Sequence, residues 1–144
     1  MKDQLYQQAI LDLAKQAGRT SRLEQPQASA TVDNPLCGDR VTIDLALADG
    51  RVAAVGHRVR GCLLCQAAAA AIAARAPGET PAALRALCAR LERAVRKEPA
   101  AADGLWPELG AFAPVHPHKS RHDCVLLPFG ALAQALDRAE SAEG

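Results

Sequence analysis

Residues 34–62 read Asn34-Pro-Leu-Cys37-Gly-Asp39-Arg-Val-Thr-Ile-Asp44-Leu-Ala-Leu-Ala-Asp49-Gly50-Arg-Val-Ala-Ala-Val-Gly-His57-Arg-Val-Arg-Gly61-Cys62, and the topology of the chain follows from them. From Arg40 to Leu47 the apolar residues alternate. Val41, Ile43, Leu45 and Leu47 point one way, Thr42 and Asp44 the other, which predicts a half-buried strand. Asp49-Gly50 between two apolar runs signals a tight hairpin, and Val52 to Val59 is the returning strand. A two-residue loop sets Cys37 opposite Cys62; a three-residue loop sets it opposite Gly61, with Cys62 alongside. Directly opposed residues lie about 4.5–5.5 Å apart. If the turn at Cys37 stays roughly extended, Asp39 leaves on the same face. The hairpin therefore predicts that Cys37, Asp39 and Cys62 converge at its open end.

Beyond the hairpin, Gly61 allows a sharp change from strand to helix. Cys62 to Ala76 is an alanine-rich helix closed by Pro77-Gly78, with Cys62 at its N-terminus, where free N–H groups and the helix dipole favour thiolate. A second helix runs from about Thr80 to Lys97, with Thr80 as N-cap and Pro81 in the first position. Residues 98–120 are rich in Pro and Ala, with a short helix near Leu105–Phe112 and then a loop. The last helix spans Arg121 to about Arg138, carries Cys124 in its first turns, and starts or kinks at Pro128. Residues 139–144 read as a frayed tail. Ahead of the hairpin, residues 4–17 form an amphipathic helix with Asp3 as N-cap, Leu5, Ile10 and Leu13 on its apolar stripe, and Gly18 as its stop. Residues 19–27 are polar loop, and 28–32 a short first strand. The expected fold is α+β, a small antiparallel three-stranded sheet packed with helices, with residues 1–144 forming a single domain.

Composition narrows the functional classes. The chain has 17 basic and 16 acidic residues, a balance that gives no electrostatic footprint for nucleic acid or an anionic membrane. No apolar run approaches the roughly 20 residues of a membrane span, and no signal peptide is legible at the start. These features predict a cytoplasmic protein. With five cysteines, an odd number, and no secretory signal, thiols here point to metal or sulfur chemistry rather than a disulfide framework.

Three thiols and a carboxylate would form a set that suits Zn²⁺, which takes four S, N or O ligands. Mixed thiolate ligation suits iron–sulfur chemistry equally. The spacing is unlike a zinc ribbon: Cys62-Leu-Leu-Cys65 has no second CxxC to pair with. Asp is an uncommon ligand in purely structural zinc sites, and an exchangeable oxygen ligand fits a site that opens or accepts sulfur. Cys65 and Cys88 read as helix-packing residues, His57 as a packing residue, and His116 and His118 as loop residues. His122 beside the cluster is a possible proton relay or alternative ligand.

The motifs Asn34-Pro-Leu-Cys37-Gly-Asp39, Gly61-Cys62 and Arg121-His-Asp-Cys124, the last followed by Leu127-Pro128, resemble the U-type iron–sulfur assembly proteins: IscU, SufU and the N-terminal part of NifU. Leu5-Tyr6-Gln-Gln-Ala-Ile10 is similar to that family's first helix. The long gap from Cys62 to Cys124 resembles the SufU branch. The resemblance implies that Cys37, Asp39, Cys62 and Cys124 bind Zn²⁺. It also implies that Cys37 accepts persulfide sulfur from a SufS-type cysteine desulfurase, for delivery to downstream iron–sulfur assembly proteins. Arg121 matches a basic position that docks the desulfurase or steadies the thiolates. Two alternatives stand beside this reading. One is an IscU-like scaffold assembling a labile [2Fe–2S] cluster, with iron on the same ligands. The other is a non-catalytic zinc module that binds a protein partner. The chain departs from the family in four places, the first being Gln16-Ala-Gly-Arg-Thr20, which replaces an Asn-Pro-Arg-like stretch at the exit of the first helix. Asp123 stands where IscU proteins have a His before the third Cys, the chaperone-binding LPPVK segment is replaced by His118-Lys-Ser-Arg121, and Cys65 occupies a position that is usually Ser.

Overall fold

The computed structural model describes residues 7–36 and 38–143. In chain order they form α1 (Gln8–Ala17), β1 (Ala28–Asn34), β2 (Asp39–Ala48), β3 (Arg51–Arg60), α2 (Leu63–Arg75), α3 (Pro81–Arg96), and α4 (His122–Glu143). Three 3-10 segments, Pro99–Ala102, Pro107–Val115 and Lys119–Arg121, link α3 to α4. The strands make one antiparallel sheet in the order β1-β2-β3. This is the α+β architecture expected from the sequence. The predicted cap Asp3, together with Leu5, Tyr6 and Cys37, lies outside the described residues.

The hairpin turn is the two-residue Asp49-Gly50 loop, with φ of 55° and 74° and Ala48 paired to Arg51. Positive φ at both positions matches the twist of the flanking strands. The register then departs from both expected versions. Leu47 pairs with Val52 but Ala46 pairs with Ala54, leaving Ala53 over as a bulge, and the pairing ends at Arg40 with Arg60. The slip brings Gly61 against Asp39: a Cβ on Gly61 would lie 3.0 Å from the Asp39 Cγ.

One face of β2 carries Asp39, Val41, Ile43 and Leu45, all buried. The helices cover this face. α4 lies across β1 and β2, and α2 packs between α1, α4 and β3. α2 buries Leu64, Cys65, Ile72 and every residue from Ala67 to Ala71. A helix apolar all round belongs inside a core, and its alanines let neighbouring backbones approach. α3 begins as expected, with Ala83 N–H donating to the Thr80 Oγ1 at 3.2 Å.

The other face of β2 corrects the half-buried reading. Asp44 is 0% exposed and Thr42 only 8%. The cause is the polar segment 19–27, which folds over the sheet instead of leaving it to solvent. Arg22 donates from Nε and a terminal nitrogen to the two Asp44 oxygens at 2.8 and 2.9 Å. Leu23 N–H donates to Asp44 at 3.0 Å, and Ser29 Oγ donates at 2.5 Å. His57 N–H donates to the Ser21 carbonyl at 3.2 Å, holding the segment to β3. Gly56, paired with Asp44, makes room: a Cβ there would lie 2.6 Å from the Leu23 nitrogen.

Two further expectations change at the C-terminal end. The short helix expected near Leu105–Phe112 is a 3-10 helix, Pro107–Val115, that runs on into the expected loop and buries Leu109, Phe112 and Val115. The tail expected to fray from 139 continues α4 through Glu143, and Ala139 is fully buried. Pro128 sits inside α4 rather than at its start. It has no N–H for the Cys124 carbonyl four residues earlier, so the turn carrying Cys124 lacks one helical hydrogen bond.

Candidate metal centre

Three elements deliver one cluster. Asp39 opens β2 and faces the helix layer; Cys62 is the N-cap of α2, with φ −72° and ψ 174°; Cys124 lies in the first turn of α4. One ligand atom from each, a carboxylate oxygen and two sulfurs, lies within 4.8 Å of the others. Asp39 is 6% exposed and Cys124 2%, while Cys62 is half-buried and forms the accessible edge. Two of the residues expected to converge, Asp39 and Cys62, thus come together, and α4 brings Cys124 to them through tertiary packing. Cys37, the fourth predicted ligand, is outside the described residues. The turn it belongs to is anchored at both ends: Asn34 pairs with Asp39, Gly38 N–H donates to the Asn34 carbonyl at 2.8 Å, and Leu36 N–H donates to the Asn34 Oδ1 at 3.0 Å. Gly38 has φ of 73°, which its lack of a Cβ permits.

The electrostatics favour thiolate at Cys62. Its thiol is drawn down to about 6, first by a hydrogen bond with Cys124, then by the Cys65 backbone N–H and the positive Arg121; burial and the nearby Asp39 oppose the shift. The positive charge of Arg121 is thus one of the influences that favour the Cys62 thiolate. Asp39 Oδ2 is buried and has no hydrogen-bond partner among the described residues. An unpaired buried carboxylate oxygen is costly, and one set between two thiols is a donor in want of a cation. Two sulfurs and a carboxylate oxygen at this spacing fit the ligand preferences of Zn²⁺.

The neighbours of Cys124 point elsewhere. His122 is 3% exposed; its Nε2 donates to the His116 carbonyl at 2.8 Å, and its ring stacks on His116 at 6.2 Å. Asp123 is bound by Arg96 at 2.8 Å. Neither joins the three-residue cluster. Cys88 packs between α3 and α4, its Sγ 3.7 Å from the Phe129 carbonyl, and burial pushes its thiol up to about 12. His57 is buried with Nε2 unpartnered among the described residues, and burial lowers its pKa. Sequence reading did not single out Leu36, which is 93% exposed, or Leu63, which is 37% exposed. Each directly precedes or follows a cluster cysteine in the chain, and an apolar residue inside a polar turn was the available signal.

The fold and this cluster define a small family, and comparison with known proteins identifies it. The model of the NifU-like N-terminal domain matches residues 5–101, so the chain belongs to that family. The match includes Cys37, Asp39 and Cys62 and ends before Cys124. A crystal structure of a nitrogen-fixing NifU-like protein (N-terminal) from Brucella abortus is 35% identical, covers 98% of both chains and superposes with a TM-score of 0.91. The SufU of the thermophile Fervidobacterium islandicum AW-1, ascribed to cluster assembly in the SUF system, shares the fold at 22% identity. It covers 94% of this chain and 99% of its own, with a TM-score of 0.83. The iron–sulfur cluster assembly scaffold protein IscU of Thermotoga maritima is 26% identical over 134 residues, 93% of this chain and 94% of its own. No helix among the described residues is long and apolar enough to cross a membrane.

Proposed function

We propose that this chain serves iron–sulfur cluster assembly as a sulfur acceptor, with Cys37, Asp39, Cys62 and Cys124 as ligands of one Zn²⁺ ion. The observation that carries the reading is the meeting of Asp39, Cys62 and Cys124 within 4.8 Å, with a buried carboxylate oxygen left unpartnered among the described residues. Bound there, Zn²⁺ would hold thiols as thiolates and shape the centre. The chain's own residues do the rest. Cys37 attacks the outer sulfur of a desulfurase cysteine persulfide. The S–S bond to the enzyme's cysteine breaks, that cysteine leaves as thiolate, and Cys37 holds the persulfide. Arg121 steadies negative charge at the centre. The half-buried edge at Cys62, followed in the chain by exposed Leu63, and the exposed Leu36 in the turn that leads to Asp39 support an approach by a protein partner, for which a SufS-type cysteine desulfurase has the required chemistry.

A second reading draws on the named role of the Thermotoga relative: the same residues receive iron and sulfide as substrates and build a [2Fe–2S] cluster. Two measurements separate the readings. Metal content and desulfurase turnover come first, with and without the protein. One zinc per chain, a large rate increase and loss of sulfur uptake in Cys37→Ala support the acceptor. Zinc without a rate effect, together with a coloured cluster after anaerobic reconstitution, overturns it in favour of the scaffold.

A further inference from the structure

Cys65 has no part in the reading above, yet it stands at the wall of the same centre. It lies three residues after Cys62, in the first turn of α2, and is fully buried. At a helix start, residues three apart have Cα atoms about 5 Å apart, inside the range that disulfides span. Cys62 has the extended backbone of an N-cap, a conformation that turns the side chain back over the first turn. Gly61 places Cys65 close to the centre: a Cβ there would lie 3.2 Å from the Cys65 Cβ and 3.0 Å from the Asp39 Cγ. Among the described residues the converging donors are Asp39, Cys62 and Cys124, and Cys65 stands next to that set.

We propose that Cys65 is the resolving thiol of the centre, releasing sulfide from a persulfide on Cys62 by forming a Cys62–Cys65 disulfide. The proposal rests on the sulfur-acceptor reading. The outer sulfur first reaches Cys62 by exchange: the Cys62 thiolate attacks the outer sulfur of the Cys37 persulfide, and Cys37 leaves as thiolate. The Cys65 sulfur then attacks the inner sulfur of the Cys62 persulfide. The Cys62–Cys65 S–S bond forms, the bond to the outer sulfur breaks, and that sulfur departs with the electron pair and the proton as hydrosulfide. The outer sulfur is reduced to sulfide and the Cys65 thiol is oxidised by the same two electrons. A dithiol reductant restores both thiols by exchange. The disulfide also withdraws Cys62 from the donor set, coupling sulfide release to opening of the centre.

The full chain is loaded with sulfur in two ways, with a cysteine desulfurase plus cysteine and with inorganic polysulfide, then alkylated and digested with trypsin. Cys62 and Cys65 fall in one peptide, residues 61–75. In both arms this peptide is expected to convert to an unalkylated form two hydrogens lighter, in step with released sulfide. Cys65→Ser is expected to retain the extra sulfur on Cys62 and to release sulfide roughly tenfold more slowly. Sulfide release without that disulfide, a disulfide joining Cys62 to Cys124, or equal release from Cys65→Ser would overturn the proposal. If Cys65→Ser does not fold, mapping of the wild-type disulfide decides alone. Conversion with polysulfide but no loading by the desulfurase supports the resolving thiol and sinks the acceptor reading instead.

Discussion

Asp39 and Asp44 lie on one strand, both buried, on opposite faces of the sheet, and they meet opposite fates. Asp44 receives hydrogen bonds from Arg22, Leu23 and Ser29, and its carboxyl group is held below the usual carboxylate range despite burial. Asp39 keeps one oxygen without a partner among the described residues and faces two thiols. Each carboxylate has a glycine against it, Gly56 beside Asp44 and Gly61 beside Asp39. On one face the glycine lets the chain close over a satisfied charge. On the other it lets the carboxylate reach two thiols, a cluster that could hold a metal ion. A buried acid with every oxygen bonded is a structural device; one left incomplete beside soft donors is a binding device.

The sharpest way to break this contrast is to remove a donor. Cys62→Ala is expected to lower zinc affinity more than 100-fold, since even outer-shell partners of a metal site are worth about 10–100-fold. Competition with a chromophoric chelator measures this, and unchanged affinity would move the site elsewhere. Next in size is Arg22→Ala, which leaves a buried carboxylate short of its cation. Because Arg22 is itself half exposed, the loss should be about 2 kcal/mol, below the range for a fully buried pair. Urea unfolding reads it, with zinc affinity unaltered. The two glycines then separate the faces. Gly56→Ala pushes Leu23 off the sheet and should cost about 2 kcal/mol of stability. Gly61→Ala displaces the Asp39 carboxylate and should weaken zinc binding about tenfold while changing metal-free stability less. If both variants lose only stability, the two acids play the same role.

The smallest effect is in pH. The folded pKa of Asp44 is depressed, so its contribution is fully present above the unfolded value of about 4 and is lost as pH falls through the folded value. The stability difference between the wild type and Asp44→Asn should therefore shrink as pH drops below about 4, measured by unfolding in acidic buffers. A difference independent of pH would mean that Asp44 acts by shape rather than charge.

Local pattern carried much of this molecule. The β2 alternation and Asp49-Gly50 settle the hairpin, because strand period and left-handed turn geometry are properties of a few adjacent residues. Thr80-Pro81 marks the start of α3 for the same reason, and Gly61-Cys62 the start of α2. Asp39 and Cys62 were legible as neighbours because a hairpin joins its own ends. The bulge at Ala53 was not legible: two alanines in a strand carry no register signal, and only packing of the sheet against its helices selects one. Burial of Asp44 was not legible either, since the polar residues that read as loop are the ones whose hydrogen bonds make a cover over the sheet. The meeting of Cys124 with Asp39 and Cys62 came from motif resemblance alone. Some sixty residues separate Cys124 from Cys62, and their contact depends on how α4 lies across β1 and β2, which nonlocal burial decides and no local pattern encodes.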